Sequence, residues 1–287
     1  MKTTVLSLKT KGGNELMKMP LIAAHRGASS GNITCNTWVA FEAGLAQGAD
    51  IIEIDVSKSL DGELFVFHPK TEPVFLHSER LISEMTAEEV RKLRFYNYDG
   101  AVSQFGVSTL DEILERLKDR CIVNIDKFPD CPAEIAAAVR RHGMQDQVLV
   151  KTNPTEDWFK IVEEVAPDLP YMVFARNEDN VSEMLLKRNL RYLGTESLFD
   201  REDAQIAQPE YVEQMHKMGL KVWYNSIVFN YKTVHAAGHN DDISVAGKPD
   251  EGWGWLIDRG VDMIQTDWPG MLRQYMLHGY HKKAKVL

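Results

Sequence analysis

Two acidic residues lie inside one of the most apolar segments of the chain. In ADIIEIDV, residues 49–56, Glu53 and Asp55 alternate with isoleucine and valine. A strand covered on both faces normally reads as a continuous apolar run, so two carboxylates in this position require a compensating partner. Residues two apart on a strand point to the same side. We therefore predict that Glu53 and Asp55 face one common site.

Other polar residues end the neighbouring apolar runs. LIAA is followed by His25 and Arg26, ELFVF by His68, and CIVNI by Asp126 and Lys127. Carboxylates without a thiolate favour a hard divalent cation, and cationic side chains beside them suit a phosphate group. Two histidines flanking a bound phosphate can act as general acid and as general base or nucleophile. These residue types therefore indicate metal-assisted cleavage of a phosphoester.

The same residues also fit structural roles. Buried acids can form an ion network with strand-end lysines, and Lys151 and Glu196, which end later runs, fit an ion pair. Asp267 fits the cap of the helix that follows it, and we favour that role for it. A single site accounts for the remaining residues with fewer coincidences, so we favour a site over separate structural roles.

The elements that carry these residues alternate between short apolar runs and amphipathic segments. The predicted strands are 21–25, 50–56, 63–68, 121–126, 147–151, 171–175, 191–196, 221–225 and 262–267. Helices are predicted near 36–47, 86–94 and 108–119, the last two capped by Thr86 and by Ser108 or Thr109. This alternation predicts βα units around a parallel sheet.

One of the nine predicted strands is antiparallel. Only residues 57–62 separate the second and third strands, whereas a parallel crossover needs a dozen or more residues. Asp61-Gly62 predicts a two-residue turn, which places residues whose numbers sum to 123 opposite each other, and thus Asp55 opposite His68. The fold class is therefore predicted as a TIM (β/α)8 barrel with an added antiparallel hairpin strand after the second strand. Its site lies at the carboxyl ends of the strands.

Composition limits the classes of protein to which the chain can belong. It has 287 residues, 44% of them hydrophobic, and a net charge of −9. We expect an N-terminal arm over residues 1–19 and a single barrel domain over 20–287. The acidic balance argues against nucleic acid or an anionic membrane as partner, so the expected partner is a small molecule. An oligomer is not indicated.

Cysteine usage and hydropathy give the expected compartment. Cys35, Cys121 and Cys131 have no CxxC spacing, which argues against a disulfide framework and against a cysteine zinc site. The first residues lack the apolar stretch of a signal peptide. No apolar run reaches membrane-spanning length. We expect a cytoplasmic protein that does not insert into a membrane.

A resemblance to a known family extends over nearly the whole chain from about residue 20. The segment AHRGASSGNITCNTWVAFEAGLAQGADIIEIDVSKSLDGELFVFH, residues 24–68, resembles the signature of the glycerophosphodiester phosphodiesterases. It has their His-Arg-Gly opening, Glu-x-Asp pair, Asp-Gly turn and closing histidine at the family's spacing. The likeness continues through VSTLDEILE, NIDK, KVWYNS and GVDMIQTDWP.

The resemblance implies a fold, a reaction and a set of roles. It implies a TIM barrel that uses one divalent cation, Mg²⁺ or Ca²⁺, to hydrolyse glycerophosphodiesters to glycerol 3-phosphate and an alcohol. The implied roles are a catalytic pair, His25 and His68, metal ligands Glu53, Asp55 and Asp126, phosphate-binding Arg26 and Lys127, and an aromatic wall, Trp223. We add Lys151 to the substrate-binding set because it ends a predicted strand at the same face.

Three positions depart from the family pattern. The family usually has Pro-Glu-Asn-Thr where this chain has Thr34-Cys35-Asn36-Thr37, and aspartate where Pro69 follows His68. Asp126 stands where glutamate is common. Two alternatives therefore stay open: a lysophospholipase D or sphingomyelinase D-like activity, which needs an apolar channel, and a non-catalytic binder of phosphate ligands.

Two loops are predicted to select the substrate, namely 69–107 and 226–252. The later loop contains His235, His239, Asp241 and Asp242. Their residue types permit a second metal site, but the spacing supports it weakly. An ordinary polar surface loop is the favoured interpretation.

Overall fold

The computed structural model describes residues 19–280. The predicted N-terminal arm, apart from Met19, and the last seven residues of the predicted domain lie outside the described part. The strands are β1 (Leu21–Ala24), β2 (Ile51–Ile54), β3 (Val56–Lys58), β4 (Leu64–Val66), β5 (Ile122–Ile125), β6 (Val148–Thr152), β7 (Pro170–Arg176), β8 (Arg191–Leu198), β9 (Lys221–Asn225) and β10 (Met263–Thr266).

Eight of these strands close a parallel barrel in the order β1-β10-β9-β8-β7-β6-β5-β2, and β3 and β4 form a separate antiparallel pair. The predicted TIM barrel with an added hairpin is confirmed. The second predicted strand is divided, because β2 ends at Ile54 and the chain continues after Asp55 as β3. No helix in the described part of the chain is long and apolar enough to span a membrane.

Helices surround the barrel. They are α1 (Trp38–Ala46), α2 (Glu72–Phe75), α3 (Ala87–Lys92), α4 (Leu110–Leu117), α5 (Pro132–Arg141), α6 (Glu156–Val165), α7 (Ser182–Leu185), α8 (Pro209–Lys217), α9 (Asp241–Val245), α10 (Trp255–Asp258) and α11 (Pro269–Gln274). Thr86 and Thr109 cap α3 and α4 through capping boxes with Glu89 and Glu112. Both capped helices therefore begin close to where the sequence predicts.

Helix α4 illustrates how the outer layer packs. Its buried residues are Leu110, Ile113, Leu114 and Leu117. Their spacing forms one apolar stripe on the helix, and the stripe packs into the core between the barrel and the helices. Burying one such side chain contributes roughly 1.5–3 kcal/mol, so this stripe alone fixes the helix firmly against the barrel.

The barrel interior has an apolar floor with a polar layer above it. The floor takes one residue from each strand: Ala23, Ile51, Ile122, Leu149, Met172, Leu193, Trp223 and Met263. Because side chains alternate along a strand, residues two places further on point inward one layer higher, toward the carboxyl ends. The second layer includes His25, Glu53, Lys151 and Asn225. Strand alternation thus gathers the polar residues at one end of the barrel.

The hairpin register differs from the prediction by one residue. Val56 pairs with Val66 and Lys58 with Leu64, so opposite residues sum to 122, and Phe67 N–H donates to the Asp55 carbonyl oxygen at 3.0 Å. The predicted pairing of Asp55 with His68 is wrong. The turn contains three residues, 60–62, because Ser59 pairs with Glu63 and Gly62 takes the left-handed conformation with φ of 94°.

Candidate active site

Three carboxylates meet at the carboxyl ends of β2 and β5. One oxygen each of Glu53, Asp55 and Asp126 lies within 4.8 Å of the others, and no other group of three such side chains in residues 19–280 is close enough to hold a metal ion. Glu53 is 3% exposed and Asp55 is fully buried. The strands hold these acids together, since Asp126 N–H donates to the Ile54 carbonyl oxygen at 2.8 Å.

The carboxylates crowd one another electrostatically. Burial, together with the charge of Asp55, raises the pKa of Glu53 to about 7. Burial also acts to raise the pKa of Asp126, but Lys151 and Lys127 outweigh it and lower that pKa. Asp55 Oδ1 is buried with no hydrogen-bond partner among the described residues. A divalent cation fits this site, because the ligands are all oxygen and one buried oxygen has an unused lone pair.

Asp55 is held by three residues with left-handed backbones. Asn36 Nδ2 donates to Asp55 Oδ2 at 2.8 Å, and Asp55 N–H donates to Asn36 Oδ1 at 3.2 Å. Arg26 Nε lies 2.9 Å from Asp55 Oδ2, and Lys127 Nζ lies 3.5 Å from Oδ1. Positive φ values near 58° at all three residues are uncommon outside glycine and cost roughly 1–3 kcal/mol each. The contacts to Asp55 help to keep these conformations in place.

Asn36 was not predicted as a site residue. The available signal was the Asn36-Thr37 pair, which the chain keeps from the family motif. Thr37 caps α1, its side chain accepting from Ala40 N–H, and so fixes the turn that directs Asn36 toward Asp55. The neighbouring Cys35 is no hard-metal ligand, because burial raises the pKa of its thiol to about 12.

His25 is oriented by an acid from the other end of the chain. Its Nδ1 lies 2.8 Å from Asp267 Oδ1, so this nitrogen carries the proton and Nε2 is the atom left for chemistry. Burial lowers the pKa of His25, but the Asp267 hydrogen bond and Glu53 outweigh burial and raise it. The preference for Asp267 as a helix cap is wrong, since the N-cap position of α11 belongs to Trp268.

Asp241 holds Asp267 in place. Its Oδ2 accepts from Asp267 N–H at 2.8 Å. Its Oδ1 accepts from Ser226 Oγ, Trp253 Nε1 and Thr266 Oγ1 at 2.6, 2.7 and 2.8 Å. Both oxygens of this buried carboxylate therefore accept hydrogen bonds from the protein itself.

The second metal site is not formed. Asp241 is fully hydrogen-bonded, Asp242 accepts from the Tyr231 hydroxyl at 2.5 Å, and the His239 ring stacks on Trp255 with centroids 3.9 Å apart. Within the described residues these side chains do not gather around a common point with His235. These contacts agree better with the favoured interpretation, a polar surface loop, than with a second metal site.

His68 lies on the opposite side of Asp55 from Asn36. Its Nδ1 lies 2.9 Å from the Pro69 carbonyl oxygen, and a carbonyl can only accept, so Nδ1 carries the proton in the neutral ring. Its Nε2 is 4.0 Å from Asp55 Oδ1. Burial lowers the pKa of His68, against the raising effect of Asp55. His68 therefore offers an unprotonated Nε2 to the site.

Lys151 and Trp223 lie deeper than the other predicted substrate-binding residues. Lys151 is 3% exposed and donates to Glu196, which is the ion pair that the sequence left open. Trp223 is fully buried beneath it, with Lys151 Nζ 4.6 Å from the ring centroid. The Trp223 indole belongs to the barrel floor and donates to Asn225 Oδ1 at 2.8 Å. Its expected role as an aromatic wall near the glycerol stays a prediction.

Sequence comparisons relate the chain to phosphodiesterases and to an uncharacterised family. A family model described as a domain of unknown function matches residues 171–276. A glycerophosphodiester phosphodiesterase of Bacillus altitudinis is 32% identical over an alignment of 146 residues that covers 47% of this chain. The match covers 58% of that relative, so the chain spans less than three fifths of the relative's length.

Solved structures match the whole fold. A glycerophosphodiester phosphodiesterase from Agrobacterium tumefaciens is 26% identical, with a TM-score of 0.64, over 88% of this chain and 99% of that chain. A glycerophosphoryl diester phosphodiesterase from Parabacteroides distasonis is 17% identical, with a TM-score of 0.75, over 99% of this chain and 95% of that chain. The latter likeness concerns the barrel fold alone.

Proposed function

We propose that the chain is a member of the glycerophosphodiester phosphodiesterase family, which it resembles in sequence and fold, and that it hydrolyses glycerophosphodiesters to glycerol 3-phosphate and an alcohol. The observation that carries this proposal is that both histidines adjoin the clustered carboxylates: the charge of Glu53 acts on His25, and His68 Nε2 lies 4.0 Å from Asp55 Oδ1. Glu53, Asp55 and Asp126 would hold one divalent cation, Mg²⁺ or Ca²⁺. When bound, that cation supplies charge neutralisation and polarisation of a phosphoryl oxygen.

Cationic residues around the acids would bind the phosphate. Arg26 and Lys127 both contact Asp55 from the open end of the barrel, with side chains 17% and 29% exposed. Burial disfavours the charge of Lys127, but Asp126 and Asp55 outweigh burial and raise its pKa. Both cations therefore stay charged at neutral pH and favour the negative charge that develops on the phosphoryl oxygens. Lys151 adds its charge from the layer below.

The two histidines have environments that divide the proton transfers between them. The pKa of His68 is lowered by burial, so His68 acts as the base that removes a proton from the glycerol hydroxyl next to the phosphate. The pKa of His25 is raised overall, so His25 acts as the acid that protonates the leaving alcohol. That attack forms the new phosphorus–oxygen bond of a cyclic phosphate as the bond to the alcohol breaks.

The second half of the reaction reverses these roles. His25, now neutral, removes a proton from water as the water oxygen attacks phosphorus. His68, now protonated, returns its proton to the glycerol oxygen that leaves. Glycerol 3-phosphate is the product, and both histidines regain their starting states.

Release of glycerol 3-phosphate tests the proposal directly. Glycerophosphocholine and glycerophosphoethanolamine are supplied with Mg²⁺, with Ca²⁺ and with chelator. Release that depends on a metal supports the reaction. Absence of release under every condition, while the protein still binds glycerol 3-phosphate, would indicate the non-catalytic binder.

A second candidate is a lysophospholipase D-like activity. A cavity of about 600 Å³ adjoins Asp267 and is lined in part by Ala46, Trp268 and Met271. Trp268 and Met271 are 47% and 43% exposed, so this cavity offers apolar surface to an acyl chain. Comparing turnover of lysophosphatidylcholine with that of glycerophosphocholine separates the two activities.

A further inference from the structure

His235 lies on a segment of loop 226–252 that pairs with the chain just after β8. Phe199 N–H, one residue after β8, donates to the His235 carbonyl oxygen at 2.8 Å, and Ala237 N–H donates to the Phe199 carbonyl oxygen at 2.9 Å. Phe199 and Ala236 form a parallel bridge. Residues 235–237 therefore continue the edge of β8 at the carboxyl face, where the active site lies.

The pairing determines where the His235 side chain points. Phe199 and Ala236 are both buried in the outer core with Tyr224, so their side chains face away from the barrel axis. Side chains alternate along an extended segment. His235 consequently points to the opposite side, over the mouth of the barrel and above Glu196, which is two residues from the end of β8.

The ring nitrogen Nδ1 of His235 is not used by the described part of the protein. Its Nδ1 is buried and has no hydrogen-bond partner in the described part of the chain, and its ring packs against Phe229 with centroids 6.1 Å apart and an interplanar angle of 20°. An imidazole nitrogen left unpaired on burial costs about 1–3 kcal/mol. Because Nδ1 is buried, a ligand removes that cost only if the ring turns to bring this nitrogen to it.

The surroundings of His235 specify the chemistry of such a ligand. Below it, Glu196 Oε1 accepts from Asn225 Nδ2 at 2.6 Å. Burial lowers the pKa of His235, and the charges of Glu196, Arg176 and His25 act on its ring, so the imidazole is neutral and lies near the reacting groups. A neutral imidazole offers one hydrogen-bond donor and one acceptor. Between them, the carboxylate and the amide below it also offer both a donor and an acceptor. This set of groups matches alcohol hydroxyls.

We propose that His235 is a specificity-determining residue that binds a hydroxyl group of the organic part of the phosphodiester, above Glu196 and Asn225. The inference rests on the proposed function and adds to it the selection of a hydroxylated substrate. It assigns to loop 226–252 a substrate contact in place of the second metal site.

Kinetics of His235 variants on two substrates test this role. Glycerophosphocholine carries a second glycerol hydroxyl besides the one that attacks phosphorus, whereas 2-hydroxypropyl 4-nitrophenyl phosphate carries only the attacking hydroxyl. For His235→Ala we expect KM for glycerophosphocholine to rise about five- to tenfold, as loss of one hydrogen bond predicts. We expect kcat to stay within about twofold and turnover of 2-hydroxypropyl 4-nitrophenyl phosphate to be unchanged within the same margin. His235→Gln, which keeps a donor and an acceptor, should recover part of the loss.

A matched control variant in the same loop separates the role of His235 from general effects on the loop. Tyr231→Phe lies in the same loop and removes only a hydroxyl bonded to Asp242, so it should leave both substrates unaffected. Equal losses on both substrates, no change on either, or Gln behaving like Ala would each overturn the role of His235.

The proposed function can fail separately from this inference. If the unaltered protein hydrolyses neither diester, calorimetric binding of glycerol 3-phosphate and of inorganic phosphate still tests His235. His235→Ala should weaken binding of glycerol 3-phosphate about five- to tenfold and leave phosphate binding unchanged. Equal affinities of the variant and the unaltered protein for glycerol 3-phosphate would reject the hydroxyl contact.

Discussion

Asn36 and Asp55 hold each other at two points, the Asn36 amide donating to Asp55 Oδ2 at 2.8 Å and Asp55 N–H donating to Asn36 Oδ1 at 3.2 Å. Because Asn36 bonds to both the side chain and the backbone of Asp55, it fixes the orientation of the Asp55 carboxylate. Asp55 Oδ1 is left without a hydrogen bond and so faces the other two acids.

The first prediction concerns metal affinity. Asn36→Ala removes both hydrogen bonds, so Asp55 loses its fixed orientation, and we expect the affinity for Mg²⁺ or Ca²⁺ to fall about 10- to 100-fold. Calorimetric titration of the metal measures the change. Asn32→Ala is the control, since the Asn32 side chain bonds to Asn97 at 2.5 Å in the same region. Unchanged affinity in Asn36→Ala would refute the orienting role.

The second prediction concerns the histidine pair. His25→Gln and His68→Gln each remove one proton-transfer group, so each should lower kcat roughly 10²- to 10⁴-fold with little change in melting temperature. Steady-state release of glycerol 3-phosphate measures the effect. His142→Gln, a surface histidine bonded to Asp111 at 2.7 Å, should keep full activity. Near-normal turnover in either site variant contradicts the assignment.

The third prediction concerns the titration of His25. Asp267→Asn removes the carboxylate that raises the pKa of His25, so that pKa should fall in the variant, as followed by NMR of the imidazole in metal-free protein. A raised folded-state pKa stabilises the fold fully below the ordinary value of about 6.5, and that contribution is lost as pH rises through the raised pKa.

The stability difference between the unaltered protein and Asp267→Asn should therefore be larger at pH 6 than at pH 9. Denaturant unfolding at the two pH values measures it. A difference that is the same at both pH values, or larger at pH 9, would show that Asp267 does not act through the charge of His25.

The fourth prediction concerns the ion pair below the site. Lys151→Met leaves Glu196 buried without its cation and should lower the free energy of unfolding by about 3–5 kcal/mol. The double variant Lys151→Met/Glu196→Gln should regain much of the loss, because no unpaired charge remains. Urea unfolding measures both. Lys58→Met, which breaks the exposed pair with Glu134, should cost less than about 1 kcal/mol.

The sequence predicts the barrel well because its strands are buried on both faces. Runs such as 221–225, which coincides with β9, stand out from the polar segments around them, and threonines mark two helix starts. The site acids are predictable for the same reason, since Glu53 and Asp55 interrupt an apolar run whose alternation gives their common direction.

Contacts between distant segments escape prediction. The Asp61-Gly62 pair fits turns of two or three residues. The hydrogen bond between Ser59 and Glu63 and the left-handed backbone of Gly62, which only the structure gives, show that the turn has three. Asp267 and His25 are 242 residues apart, so local helix-start signals suggested a cap instead. The inward direction of His235 depends on pairing with Phe199, which no local pattern encodes.

The parallel pairing of β1 with β10, in which Leu21 lies beside Met263, has a consequence for synthesis on the ribosome. The acids Glu53, Asp55 and Asp126 emerge in the first half of translation, whereas Asp267 emerges close to its end. A nascent chain therefore carries the three acids of the candidate metal site many seconds before His25 acquires its orienting partner, at elongation rates of about 5–20 residues per second. The proton transfer that we propose for His25 would therefore have to wait until the last barrel strand has left the exit tunnel.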